Sequence, residues 1–99
     1  MKKDIFNQYV SKVCNLFDIE PDELIKRTKE RKIVDARQLL FFLCDKRQIK
    51  IIYIEKWMND VGFKVGHSTI IHGIRKVKER IRGDNDYVSI VQDIERSVF

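Results

Sequence analysis

Apolar residues recur at intervals of three and four along most of this chain, the spacing that places side chains on one face of an α-helix. The pattern predicts a first helix over residues 5–17 and a central helix over about 33–47 that is apolar on several sides. It also predicts a long helix over about 68–82 and a last helix over 87–98. A short second helix begins at Pro21, because proline lacks only an amide hydrogen that the first helical turn does not use.

One further segment, residues 49–58, is rich in β-branched and aromatic residues and could form a strand on composition alone. No second segment carries a strand pattern with which it could pair, so we interpret it as a helix. A turn containing Gly62 and Gly66 joins it to the long helix. We therefore expect an all-α fold, a bundle of five to six helices, in which residues 1–99 form a single domain.

Positive charge is concentrated in parts of the chain. The formal net charge is +5, from 20 Lys and Arg residues against 15 Asp and Glu residues. Residues 64–82 hold six basic residues against Glu79, whereas residues 83–99 hold one arginine against four carboxylates. The connection of residues 26–32 holds five basic residues against Glu30. A surface that faces phosphates needs this kind of segregation, so the charge pattern favours a nucleic-acid partner.

Two helices joined by a glycine-containing turn have the layout of a helix-turn-helix, whose second helix enters the major groove of DNA. Here the second helix begins with Gly66, His67, Ser68 and Thr69. Small polar side chains at that position can reach base edges and phosphates, and a threonine methyl suits a thymine methyl. The alternative is that His67 or Ser68 merely caps the helix, and the two roles are compatible.

Three stretches of the chain together resemble one known family. They are residues 17–24, residues 29–38 with the triplet Ala36, Arg37 and Gln38, and residues 67–76, which are similar to a D-H-T-T-V-L-H-A signature. Over roughly residues 10–82 the sequence resembles the C-terminal DNA-binding domain of the bacterial replication initiator DnaA, a Trp-repressor-like helix-turn-helix.

The resemblance implies sequence-specific binding of double-stranded DNA at a DnaA-box-like site, in a replication origin or a regulatory region. It places the long helix in the major groove and the connection of residues 26–32 in the neighbouring minor groove. The DNA-contacting residues that it implies are Lys29 and Arg31 at the minor groove, Arg37 and Gln38 at phosphates, His67, Ser68 and Thr69 at bases and phosphates, and His72, Arg75 and Lys76 farther along the same helix.

The sequence departs from that family in four respects. The turn of residues 59–66 is about four residues longer than the family's compact G-G-R-D turn, which leaves the docking geometry open. Gly66 stands where the family has an aspartate that reads bases, which leaves the preferred DNA sequence open. Lys29 stands where an arginine is usual, so the charge is kept but the planar fork of donors is lost. The ATPase part of the initiator has no counterpart among these 99 residues, and we expect the domain to act as a stand-alone protein.

Nothing in the sequence indicates an enzyme. The run of residues 62–68 differs from a phosphate-binding loop in its glycine spacing and has a histidine in place of the lysine. His67 and His72 point to different sides of a helix and cannot converge on one metal ion. We therefore expect no catalytic residue, no cofactor and no metal.

Cys14 and Cys44 each lie within an apolar helical pattern, which predicts two buried thiols in a reducing compartment rather than a disulfide framework. We expect a cytoplasmic monomer with no membrane or small-molecule partner. Two alternatives stay open, namely a helical protein–protein adaptor and a nonspecific DNA binder from a mobile element. The adaptor would lack salt-sensitive DNA binding, and the nonspecific binder would bind all sequences alike.

Overall fold

The computed structural model describes residues 2–98, and within them every regular element is a helix. The six helices are α1 (Lys2–Phe17), α2 (Pro21–Leu24), α3 (Arg31–Lys46), α4 (Ile51–Asp60), α5 (His67–Gly83) and α6 (Asn85–Arg96). The predicted all-α bundle of five to six helices is confirmed, and the segment that resembled a strand forms α4. Helices α4 and α5, with the turn between them, form the helix-turn-helix.

Most helix boundaries differ from the prediction by one to three residues, and hydrogen bonds explain two of these differences. Helix α3 begins at Arg31 because the Glu30 carbonyl already accepts the amide of Val34, at 3.0 Å, so Arg31 belongs to a helix and not to the preceding connection. Helix α6 begins at Asn85, two residues before the predicted start, because the Asp84 carboxylate accepts the amide of Tyr87 at 3.0 Å. Only Asp84 therefore separates α5 from α6.

Helix α3 lies at the centre of the fold, as its pattern predicted. Its residues Leu39, Leu40, Leu43 and Cys44 have no exposed surface, and α1 and α5 pack on different sides of it. The buried apolar residues of all six helices form one cluster. A shared core of this kind gives the turn and loops that carry the candidate site a rigid support.

The crossing of α3 and α5 depends on Gly73. A Cβ atom at this position would lie 3.1 Å from Cγ of Gln38 and 3.2 Å from Cδ2 of Phe41. Because glycine has no side chain, the two helices approach closely at this point. The crossing brings the first half of α5 alongside the middle of α3, near Gln38 and Phe41.

Both cysteines are buried free thiols, in agreement with the prediction. Burial raises the pKa of Cys44, whose side chain is completely enclosed, and it also raises the pKa of Cys14. Neither thiol therefore has the thiolate character that reactive cysteines need. Within residues 2–98, no helix combines the length and the apolar character that crossing a membrane requires.

Candidate nucleic-acid interface

The start of α5 presents three polar side chains to the surface. His67, Ser68 and Thr69 form its first turn and are all exposed. The N-cap position is occupied by Gly66 in an extended conformation, without a side-chain hydrogen bond, so neither His67 nor Ser68 caps the helix. The amide groups at a helix start favour a negatively charged group such as a phosphate.

The outer face of α5 is exposed over its whole length and is polar apart from Ile71, which is 39% exposed. Ser68, His72, Arg75 and Glu79 lie along it, and Lys76 lies beside them. The opposite face is buried against the core, where the predicted apolar stripe is confirmed by Ile70, Ile74 and Val77. The sequence pattern therefore separated correctly the face of α5 that packs from the face that is free to contact DNA.

His67 contacts the other helix of the helix-turn-helix. Its Nδ1 atom lies 2.9 Å from Oε2 of Glu55, which belongs to α4. A carboxylate can only accept a hydrogen bond, so this contact requires the hydrogen on Nδ1 and leaves Nε2 for an outside partner. The His67 side chain remains 54% exposed, so Glu55 orients the ring without covering it.

The loop between α2 and α3 lies next to α5. Lys29, in this α2–α3 loop, is exposed. Lys29, Gln38, Thr69 and His72 line one shallow groove, which places residues from the loop, from α3 and from α5 at the same surface. Arg31, at the start of α3, has a side chain that is 87% exposed and lies 4.0 Å from Asp35.

Arg37 is placed differently from its neighbours among the candidate residues. It is only 8% exposed, and its guanidinium donates hydrogen bonds to three backbone carbonyl oxygens. Nε donates to Leu24 at 2.7 Å, Nη1 donates to Thr28 at 3.3 Å, and Nη2 donates to Lys26. The structure thus shows Arg37 holding the α2–α3 loop, and its expected contact with a phosphate stays a prediction.

An aromatic ring completes the attachment of this loop. Phe63, in the turn between α4 and α5, is 5% exposed and lies under the guanidinium carbons of Arg27, at 4.4 Å, and Arg37, at 4.3 Å. Burial lowers the pKa of Arg37, and the nearby charge of Arg27 lowers it further. Arginine keeps its charge under all ordinary conditions, so both groups remain cations over the ring.

Sequence reasoning missed three residues of this surface, namely Arg27, Glu55 and Phe63. The only signal for Phe63 was an aromatic side chain in a turn whose other residues are glycine, valine and lysine. Glu55 and Arg27 gave no signal beyond their charge. Within residues 2–98, no group of three or more His, Cys, Asp or Glu side chains is arranged to hold a metal ion.

Comparison with known proteins identifies the family. The description "Bacterial dnaA protein helix-turn-helix" matches residues 7–77, which include every candidate DNA-contacting residue from Lys29 to Lys76. The chain belongs to the bacterial DnaA helix-turn-helix family. It is accordingly a domain of a DNA-binding, not a catalytic, family, and helix α6 lies outside the matched region.

Several curated proteins share this region. The chromosomal replication initiator protein DnaA of Citrifermentans bemidjiense is 32% identical over 98% of this chain, and that of Geobacter sp. (strain M21) is 31% identical over 98%. The DnaA of Bacteroides thetaiotaomicron is 28% identical over 84% of the chain. The chain spans only about a fifth of these relatives, namely 21%, 21% and 17% of their lengths. No solved structure matches the chain significantly.

Proposed function

We propose that this chain reads a specific sequence in double-stranded DNA, at a DnaA-box-like site in a replication origin or a regulatory region. The observation that carries the proposal is the exposed first turn of α5, with His67, Ser68 and Thr69, next to a groove that also includes Lys29. The names of the relatives, chromosomal replication initiators, support a role at origins.

In this proposal α5 enters the major groove with its first turn nearest the bases. Nε2 of His67 is free for a base or a phosphate because Glu55 occupies Nδ1. The hydroxyl of Ser68 suits a phosphate or a base edge, and the methyl of Thr69 suits a thymine methyl. His72, one helical turn after Thr69, lines the same groove on the protein surface as Thr69 and extends the surface that would contact the bases.

Positive side chains on both sides of α5 fix its position on the DNA backbone. Arg75 and Lys76 are exposed on α5 and suit the phosphates that border the major groove. In the proposal Lys29 and Arg31 reach the neighbouring minor groove of the DNA, and half-buried Gln38 lines the same protein groove as Lys29 and Thr69. Gln38 is placed to donate to a phosphate, whereas Arg37 supports the loop that carries Lys29.

The proposal extends to the way in which the chain acts. We propose that residues 1–99 act as a single binding module, as a monomer in the cytoplasm, without a cofactor and without catalysis. Recognition by one helix and one basic loop needs none of the groups that a reaction would require.

Selection from a random duplex pool, followed by fluorescence anisotropy, tests the proposal. The selected duplex and a scrambled control are compared at two salt concentrations. We expect one enriched motif, bound at least ~10³-fold more tightly than the control, and binding that weakens with salt. Equal, salt-sensitive binding of both duplexes would instead identify a nonspecific DNA binder of the mobile-element kind. Absence of binding would identify a protein–protein adaptor.

A further inference from the structure

A buried aromatic side chain connects the two parts of the proposed interface. The Phe63 ring comes from the turn of the helix-turn-helix, and the guanidinium carbons of Arg27 and Arg37 lie over it, 4.4 and 4.3 Å from its centroid. Arg27 belongs to the α2–α3 loop and Arg37 belongs to α3. A cation over an aromatic face is attracted by the ring electrons, and exclusion of water strengthens the attraction.

Both arginines also donate hydrogen bonds to backbone carbonyls. Arg37 donates to the carbonyls of Leu24, Lys26 and Thr28, so it holds the α2–α3 loop from within the fold. Arg27 Nη2 donates to the carbonyl of Lys64, so it ties the same loop to the turn that carries Phe63. Together these hydrogen bonds connect α3, the α2–α3 loop and the turn between α4 and α5.

The inward direction of Phe63 follows from the way α4 ends. Gly62 has a φ of +101°, a left-handed conformation that glycine adopts without strain. The amide of Phe63 then donates to the Met58 carbonyl at 2.9 Å, which closes the helix end in the manner of a Schellman motif. The amide of Val65 donates to Oδ1 of Asn59 at 3.1 Å and holds the rest of the turn.

We propose that Phe63 is a positioning residue for DNA recognition. It fixes the α2–α3 loop, and with it Lys29, relative to the first turn of α5, so that the loop and the helix meet the DNA as one rigid surface. The groove that Lys29 shares with Thr69 and His72 is lined by Phe63 as well. This inference rests on the proposed function, because it describes how two parts of the same interface are held together.

A double-mutant cycle on Phe63 and Lys29 tests the proposal. Phe63→Leu keeps an apolar side chain but removes the aromatic faces, and Lys29→Ala removes the loop charge. Affinity for the selected duplex is measured by anisotropy for the native chain, both single variants and the double variant. We expect Lys29→Ala to weaken binding by about tenfold in the native chain, and by no more than about twofold in the Phe63→Leu background.

Two further variants make the result decisive. Val65→Ala changes a half-buried residue of the same turn that takes no part in the contacts of Arg27 and Arg37 with the Phe63 ring. In the Val65→Ala background, Lys29→Ala should therefore weaken DNA binding by its full factor. Arg27→Gln removes one guanidinium from the ring without changing the core, and it should reduce the effect of Lys29→Ala as Phe63→Leu does. Arg27→Gln also replaces Phe63→Leu in the cycle if circular dichroism shows that Phe63→Leu is unfolded at the assay temperature.

The outcomes separate this inference from the proposed function. Suppose that Lys29→Ala weakens DNA affinity by the same factor in the Phe63→Leu and Arg27→Gln backgrounds as in the native chain. Phe63 then does not position the loop, while specific DNA binding by the native chain still stands. If the native chain binds no duplex specifically, the proposed function fails first, before the cycle is measured. A reduced effect of Lys29→Ala beside both variants, and a full effect beside Val65→Ala, establishes the coupling.

Discussion

Nδ1 of His67 and Oε2 of Glu55 lie 2.9 Å apart and join the two helices of the helix-turn-helix. His67 stands at the first position of α5, and its side chain is 54% exposed. Glu55 therefore determines which nitrogen of the ring stays free for an outside partner. Under the proposed function Glu55 acts on DNA recognition through His67, and no sequence motif marks it.

Replacing Glu55 should change the specificity of DNA binding more than its strength. Glu55→Ala frees Nδ1 and lets the ring turn, so we expect the ratio of affinities for the selected and scrambled duplexes to fall by about 5- to 10-fold, the scale of one base contact. Glu55→Gln should have a smaller effect because its amide oxygen still accepts from Nδ1. Anisotropy on both duplexes measures the ratio.

Asp60→Asn is the matched control for Glu55. Asp60 is another carboxylate of α4, and its Oδ2 atom lies 3.6 Å from Nζ of Lys56 and not near His67. Both changes remove one negative charge from α4, so a general electrostatic gain in affinity appears in both. An unchanged affinity ratio in Glu55→Ala would show that Glu55 has no part in specificity.

Substitutions along α5 should separate base reading from phosphate binding. We expect Thr69→Ala to lower affinity for the selected duplex by about 1–3 kcal/mol and to leave the scrambled duplex unaffected. Arg75→Ala should weaken binding to both duplexes alike and reduce the salt dependence by the equivalent of about one phosphate. Ser89→Ala, at an exposed position of α6, is the control and should change neither. Equal losses on both duplexes for Thr69→Ala would contradict its role at the bases.

Gly73→Ala should destabilise the fold relative to Gly83→Ala by about 1–3 kcal/mol, the usual cost of an extra methyl group in a packed interior. The added methyl group meets Gln38 and Phe41 at 3.1 and 3.2 Å, so α3 and α5 must separate slightly. At Gly83 no atom lies within 4 Å of the added Cβ, so the two variants share the helical preference of alanine but not the crowding. Urea unfolding followed by circular dichroism gives the free energy of unfolding of both variants. Equal values would show that the crossing of α3 and α5 does not depend on Gly73.

Asp84→Ala should lower the free energy of unfolding by about 1 kcal/mol, the typical value of an N-cap. The variant loses the acceptor for the Tyr87 amide at the start of α6. Asp86→Ala, in the first turn of the same helix, removes a charge but no capping bond and should cost only a few tenths of a kcal/mol. DNA affinity should stay unchanged in both variants, since neither Asp84 nor Asp86 is among the proposed DNA-contacting residues. Urea unfolding and anisotropy check the two expectations, and equal losses of stability would contradict the capping role.

The sequence by itself determined the helices and their buried faces, because both depend on neighbours three and four positions apart. From the stripe of Ile70, Ile74 and Val77 the sequence predicted correctly that Ser68 and His72 lie on the exposed, opposite face of α5. The motif around His67 indicated the family for the same reason, since its residues are contiguous in the chain. Helix ends were less accurate because each depends on one or two hydrogen bonds, such as the one from the Tyr87 amide to Asp84.

Only the tertiary structure decided which polar residues serve the fold and which stay free. Arg37 and Gln38 are adjacent in sequence, yet Arg37 turns inward to the carbonyl of Leu24, 13 positions away, while Gln38 borders the groove. Glu55 meets His67 across 12 positions, and Arg27 meets the backbone of Lys64 across 37. A charged side chain looks the same in a sequence whether it contacts phosphate or backbone. The packing of α3 against α5 and the direction of the turn at Gly62 determine the partner, and both arise only when distant parts of the chain share one core.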